Sequence, residues 1–73
     1  MEQAVVQVKG LHCMSCVARL ERALRQIEGV RRSAVDLRRE TVDLAYESQA
    51  IDKPSIRSVI EETGFEVVAW APR

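Results

Sequence analysis

The order in which apolar periodicity changes along this chain restricts its fold more than any other feature. Residues 3–9 alternate, placing Ala4, Val6 and Val8 on one face of a strand that Gly10 breaks. Residues 14–28 switch to helical spacing: Val17, Leu20, Leu24 and Ile27 form one apolar stripe, and Gly29 reads as the helix stop. Two alternating segments follow. Residues 30–37 carry Val35 and Leu37 on one face, and residues 41–47 carry Val42, Leu44 and Tyr46. Arg38, Arg39 and Glu40 make the turn between them, a hairpin tip rich in charge. Asp52 and Pro54 mark the start of a second helix, whose apolar face is Ile56, Val59 and Ile60 and whose end is Gly64. Residues 65–70 read as a final strand.

The order is β-α-β-β-α-β, the signature of a ferredoxin-like α+β sandwich. It predicts a four-stranded antiparallel sheet in the order 4-1-3-2 with two helices on one face. A length of 73 residues fits one small domain spanning 1–73. This topology brings three connections to one end of the sheet: the segment from Gly10 to Cys16, the start of the last strand at Phe65, and the hairpin tip at Arg38 and Arg39.

Charge and composition exclude several function classes. Eleven Lys and Arg balance eleven Asp and Glu, so no overall field draws the chain to nucleic acid or an anionic membrane. Phe65, Tyr46 and Trp70 are the only aromatics, too few for a base-stacking platform. No apolar run approaches the roughly 20 residues of a membrane span, and no secretory signal opens the sequence. These features lead us to expect a cytoplasmic location.

Chemistry concentrates in Gly10-Leu11-His12-Cys13-Met14-Ser15-Cys16. A disulfide across so short a loop restrains little of the unfolded chain, so a metal or redox site is the better reading of the pair. Cys13 falls just before the first helix and Cys16 in its first turn. Unpaired N–H groups and the helix dipole favour thiolate at that end. The two-residue spacer lets both sulfurs face one point, and Gly10 lets the chain leave the strand without steric cost. Two thiolates with few other donors suit an ion content with low coordination. Cu(I) fits, as does Hg(II); Zn(II) normally takes four ligands, and no second Cys pair or His cluster is present. A two-ligand site near the surface is open to an incoming thiolate, which is carrier chemistry.

On these residues the chain resembles the heavy-metal-associated domain family, which includes bacterial copper chaperones and the N-terminal metal-binding domains of copper-transporting P-type ATPases. The resemblance covers nearly the whole chain. Gly10 to Cys16 is similar to the family's Gly-Met-x-Cys-x-x-Cys motif. Val17, Leu20, Leu24, Ile27, Gly29, Val30, Val35, Leu37, Val42 and Leu44 match its core pattern, and Gly64-Phe65 its Gly-aromatic pair. It implies Cu(I) held by Cys13 and Cys16 and delivered to a like-folded domain or a copper-transporting P-type ATPase. The chain is then a free chaperone or a cytoplasmic domain of a transporter. Leu11 stands where the family usually has Met, His12 where it often has Thr or Ser, and Ser33 where it has an apolar strand residue. Phe65, where soluble chaperones often carry Tyr, tilts toward an ATPase domain.

Each singled-out residue also has a plainer reading. The cysteines are alternatively a mercury- or zinc-selective site, or a thiol-disulfide redox pair, although Met14-Ser15 does not look like a thioredoxin-type spacer. His12 reads as an exposed loop residue, with a third-ligand role as the sharper alternative. Met14 reads as an exposed contact residue, and Leu11 and Phe65 as packing beneath and beside the loop. Arg19, Arg22 and Arg25 on the helix, with Arg38 and Arg39 at the hairpin tip, form either a docking surface for a partner or ordinary solvated faces. The chain is expected to be a monomer; a dimer sharing one metal through four sulfurs stays open.

Overall fold

A computed structural model describes residues 1–73. The elements run β1 (Glu2–Lys9), α1 (Met14–Arg25), β2 (Val30–Asp36), β3 (Thr41–Tyr46), α2 (Lys53–Glu62) and β4 (Glu66–Pro72). The sheet has the order β2-β3-β1-β4 with every pair antiparallel, which is the expected 4-1-3-2 arrangement. Both helices cover one face. Leu20 and Leu24 of α1 and Ile56 and Ile60 of α2 are fully buried with Val6, Val8, Val42 and Leu44 from the two central strands. The apolar stripes therefore meet in one core, the main source of stability in so small a domain.

The first helix is shorter than its stripe. It ends at Arg25 with Gln26 as C-cap, not at residue 28. Two tight turns follow, with the Ile27 N–H donating to Leu24 O (3.1 Å) and the Val30 N–H to Ile27 O (3.2 Å). They keep Ile27 packed against the core while aiming the chain back along the sheet. The second helix matches expectation. Asp52 caps it by accepting from the Ser55 N–H at 3.0 Å, with Pro54 in the first turn.

Two extra residues bend the edge strands. On β2, Val30 faces Tyr46 and Arg32 faces Ala45, so Arg31 is the extra residue. On β4, Val67 faces Val8 and Ala69 faces Gln7, so Val68 bulges out, 49% exposed. The second bulge changes which residues face inward: Val67 and Trp70 both turn to the core side. Trp70 meets Tyr46 edge-on, with ring centroids 6.3 Å apart at 78°. Ser33, opposite Leu44, faces the core side, and its Oγ is buried with no hydrogen-bond partner.

Candidate metal centre

The end of the sheet where β1 runs out collects the expected connections. The Val8 N–H donates to Glu40 O at 2.9 Å, tying β1 to the hairpin tip. On the other side, the last turn of α2 places Phe65. The Phe65 N–H donates to Ile60 O (3.2 Å) and the Gly64 N–H to Glu61 O (3.0 Å). This is a Schellman closure, with Gly64 at φ +108 and with Phe65 and Ile60 both in the buried apolar core. It seats Phe65, 5% exposed, against Gly10: a Cβ on Gly10, at φ +107, would lie 3.3 Å from Phe65 Cδ1. Gly10 thus combines a left-handed backbone with a close approach, which explains a glycine there. Leu11, 3% exposed, drops into the core and anchors the loop from below.

Above these two apolar supports sit the cysteines. Cys13 is the N-cap of α1, with extended backbone (φ −155, ψ 170), and Cys16 lies in the first turn. Both thiols are free; Cys13 is exposed and Cys16 half-buried against the core. Their sulfurs are 3.3 Å apart. The Ser15 hydroxyl lies 3.0 Å from Cys13 Sγ. That hydroxyl is the first cause of a thiol acidity that brings Cys13 down from 9.0 to about 7. The backbone N–H and side chain of Cys16 and the backbone N–H of Ser15 add to it, against a small opposing effect of burial. The two N–H groups act by proximity, since neither completes a capping hydrogen bond to the sulfur. A hydroxyl two residues beyond an N-cap cysteine was the available sequence signal for Ser15, and the motif reading passed over it.

The remaining candidates divide. Leu11 and Phe65 are packing residues beside the loop, as expected. His12 and Met14 are exposed, Met14 to 68%, and no group of three or more His, Cys, Asp or Glu gathers anywhere in the chain. Arg19 and Arg22 lie on the solvent face of α1, roughly 9 and 13 Å along the axis from Cys13. Arg38 and Arg39 border a groove of about 600 Å³ whose lining includes Met14, Val17 and Leu37, so the hairpin tip adjoins the first turn of α1. They share the tip with acids: the Arg39 N–H donates to Asp36 Oδ1 at 3.1 Å. No helix is long and apolar enough to cross a membrane.

A family model described as "Heavy-metal-associated domain" matches residues 5–66. Copper-transporting ATPase 2 of Rattus norvegicus is 35% identical over 65 residues, 89% of this chain but 4% of that protein. This chain spans less than a tenth of the length of the ATPases it matches. Copper chaperone CopZ of Bacillus subtilis (strain 168) is 31% identical over 67 residues, covering 92% of this chain and 97% of the chaperone. Among solved structures, the N-terminal domain of a potential copper-translocating P-type ATPase from Bacillus subtilis, in the Cu(I)-loaded state, superposes with a TM-score of 0.91. It is 25% identical and covers 99% of this chain and 90% of that one.

Proposed function

The chain belongs to the heavy-metal-associated domain family, and from that premise we propose that it binds one soft metal ion between Cys13 and Cys16 and passes it to a partner protein. Cu(I) is the first choice of ion. The observation that carries this reading is a pair of free sulfurs 3.3 Å apart at the exposed end of the fold, joined by no third His, Cys, Asp or Glu. Cu(I) and Hg(II) accept two sulfurs, whereas Zn(II) ordinarily takes four ligands. The copper proteins among its relatives favour Cu(I) over Hg(II).

The role of each part follows from position. Cys16, held against the core, is the retained ligand. Cys13, exposed at the helix N-cap, is the sulfur that an incoming thiolate displaces. Leu11 and Phe65 keep the loop in shape and exclude water from one side of the sulfurs, while His12 is an exposed loop residue outside the ligand set. The partner is a copper-transporting P-type ATPase or a like-folded metal-binding domain, met in the cytoplasm by this single domain as a monomer. Arg19, Arg22, Arg38 and Arg39 border the approach and tune encounter rate more than affinity. Transfer needs no bond made or broken in a substrate, so the chain acts as a carrier and not as an enzyme.

Anaerobic titration of the reduced protein with Cu(I), followed by the thiolate-to-metal ultraviolet band, tests this. The band should saturate at one equivalent and vanish in Cys13→Ser and Cys16→Ser. Undiminished binding in the doubly substituted protein would end the proposal. A Hg(II) or Zn(II) competition that displaces Cu(I) at equal concentration would reassign the ion.

A further inference from the structure

The sheet ends in β2 on one side and β4 on the other. Each edge carries backbone N–H and C=O groups with no neighbouring strand to take them. β4 is interrupted as a template, because Val68 bulges within it and Pro72 closes it. On β2 the extra residue, Arg31, comes at the start, and Arg32 to Asp36 then pair with β3 without a break. The groove of about 600 Å³ follows this edge: Ala34 and Asp36 from one face of β2 line it together with Val35 and Leu37 from the other. Val35 and Leu37 are only half-buried there. Arg32 and Asp36 share the face turned away from the helices, with Ala34 between them. Both are exposed and neither belongs to an ion pair of the chain. Asp36 accepts the Arg39 N–H at Oδ1 alone.

We propose that β2 is a self-association edge: two copies of this chain pair their β2 strands antiparallel about a two-fold axis at Ala34, with Arg32 of each copy opposite Asp36 of the other. Charge complementarity selects both the occupant and the register. Across an antiparallel pair, directly opposite residues share a face, so a two-fold axis must pass through one residue position. Centred on Ala34, the pairing makes two opposite-charge contacts, and two small side chains meet at the axis. On the other face Ser33 stands opposite Val35, and the half-buried apolar edge gains cover. Centred on Ser33, Arg32 would face Ala34 and Asp36 would face Val30, leaving both charges unmatched. Centred on Val35, Arg32 would face Arg38, like charge against like. The result is one continuous eight-stranded sheet. The cysteine loop and the hairpin tip lie at one end of each sheet, where the Val8 N–H meets Glu40 O. The two-fold reverses one copy against the other, so the two cysteine pairs stand at opposite ends and share no ion. This association therefore needs no metal and stands apart from the carrier function. A contact of one short strand falls in the small, weak class of interfaces, so dilute solution keeps the single domain that meets a partner.

Sedimentation equilibrium of the reduced, metal-free chain from about 10 µM to about 1 mM tests this. The expected result is a monomer at the low end, a dimer gaining ground toward the high end, and the same isotherm when Cys13 and Cys16 are both replaced by Ser. Arg32→Asp and Asp36→Arg each turn both contacts into like-charge pairs and should weaken association by roughly ten-fold or more. The double variant Arg32→Asp with Asp36→Arg restores opposite charges at the same two places and should recover the native isotherm. That recovery cannot come from the hairpin turn, because the double variant also lacks the Asp36 carboxylate that accepts the Arg39 N–H. Ala34→Lys leaves that turn intact, sets two ammonium groups against each other at the axis, and should also keep the chain monomeric. Thermal melts of each variant confirm that it is folded. A native chain still monomeric at the highest concentration, a dimer lost with the cysteines, an undiminished dimer in Ala34→Lys, or a double variant no better than its single parents would overturn the proposal. Cu(I) binding is untouched by any of these outcomes, and its failure would leave the edge contact standing.

Discussion

Replacing Ser15 by Ala removes the hydroxyl that does most to acidify Cys13. In the native chain that thiol is lowered from 9.0 to about 7, so about half of it is thiolate at pH 7. A thiol at 9.0 would be about 1% ionised there, so the full set of contacts is worth roughly fifty-fold in thiolate. Ser15→Ala leaves the Cys16 contacts and the backbone N–H groups in place, and the midpoint should settle between those limits. The assay is the rate of iodoacetamide alkylation against pH on the reduced, metal-free protein, with the modified site located by mass spectrometry. Two opposite changes are expected. Near pH 7 the variant reacts more slowly because less thiolate is present. Above pH 9 it reacts faster, because a more basic thiolate is the better nucleophile: about three-fold for each unit of midpoint shift at a Brønsted coefficient near ~0.45. A loosened fold would raise the rate at every pH instead. Ser15 is exposed and Ala suits a helix at least as well, so the fold should be unaffected. Ser15→Thr keeps a hydroxyl and should restore the native midpoint. An unchanged midpoint in Ser15→Ala, or a Thr variant that behaves as Ala does, would refute the assignment.

Four further outcomes are expected. Because metal capture must displace the thiol protons, Cu(I) affinity should fall as acid drives Cys13 below its midpoint near pH 7, as a chelator competition series would register. Gly10→Ala and Gly64→Ala place a Cβ at nearly equal φ, +107 and +108, so each should lose about 1–2 kcal/mol by urea denaturation; only Gly10→Ala also presses on Phe65, and only it should weaken Cu(I) binding. Leu20→Ala removes a fully buried side chain and should cost about 2–5 kcal/mol in the same assay, with a smaller loss pointing to a site that collapses around the cavity. Ser55 holds the Asp52 carboxyl below its ordinary 3.8, so the cap stabilises α2 above that pH and its contribution vanishes as pH falls through the lower folded value; Asp52→Ala should melt earlier at pH 7 and differ little from the native chain in strong acid.

The sequence by itself determined the order of elements, the faces of the central strands and the place of the thiols. Ala4, Val6, Val8, Val42, Leu44 and Tyr46 are all buried as alternation required, as are Val17, Leu20 and Leu24 at helical spacing. These are local properties: a period of two or of 3.6 residues specifies which side chains share a face before any partner is chosen. What lay beyond the sequence depends on contacts between distant segments. Ile27 continues the stripe of α1 yet stands outside the helix, because the chain must turn there to pair with β3. Val68 bulges because β4 must match the register of β1, and that one extra residue is what turns Trp70 onto Tyr46. At the site, the motif placed two sulfurs at a helix start, but their 3.3 Å separation and the hydroxyl beside Cys13 are matters of side-chain rotation. Phe65 reaches Gly10 only after the end of α2 has closed upon Ile60, a contact between residues more than fifty positions apart that no local period encodes.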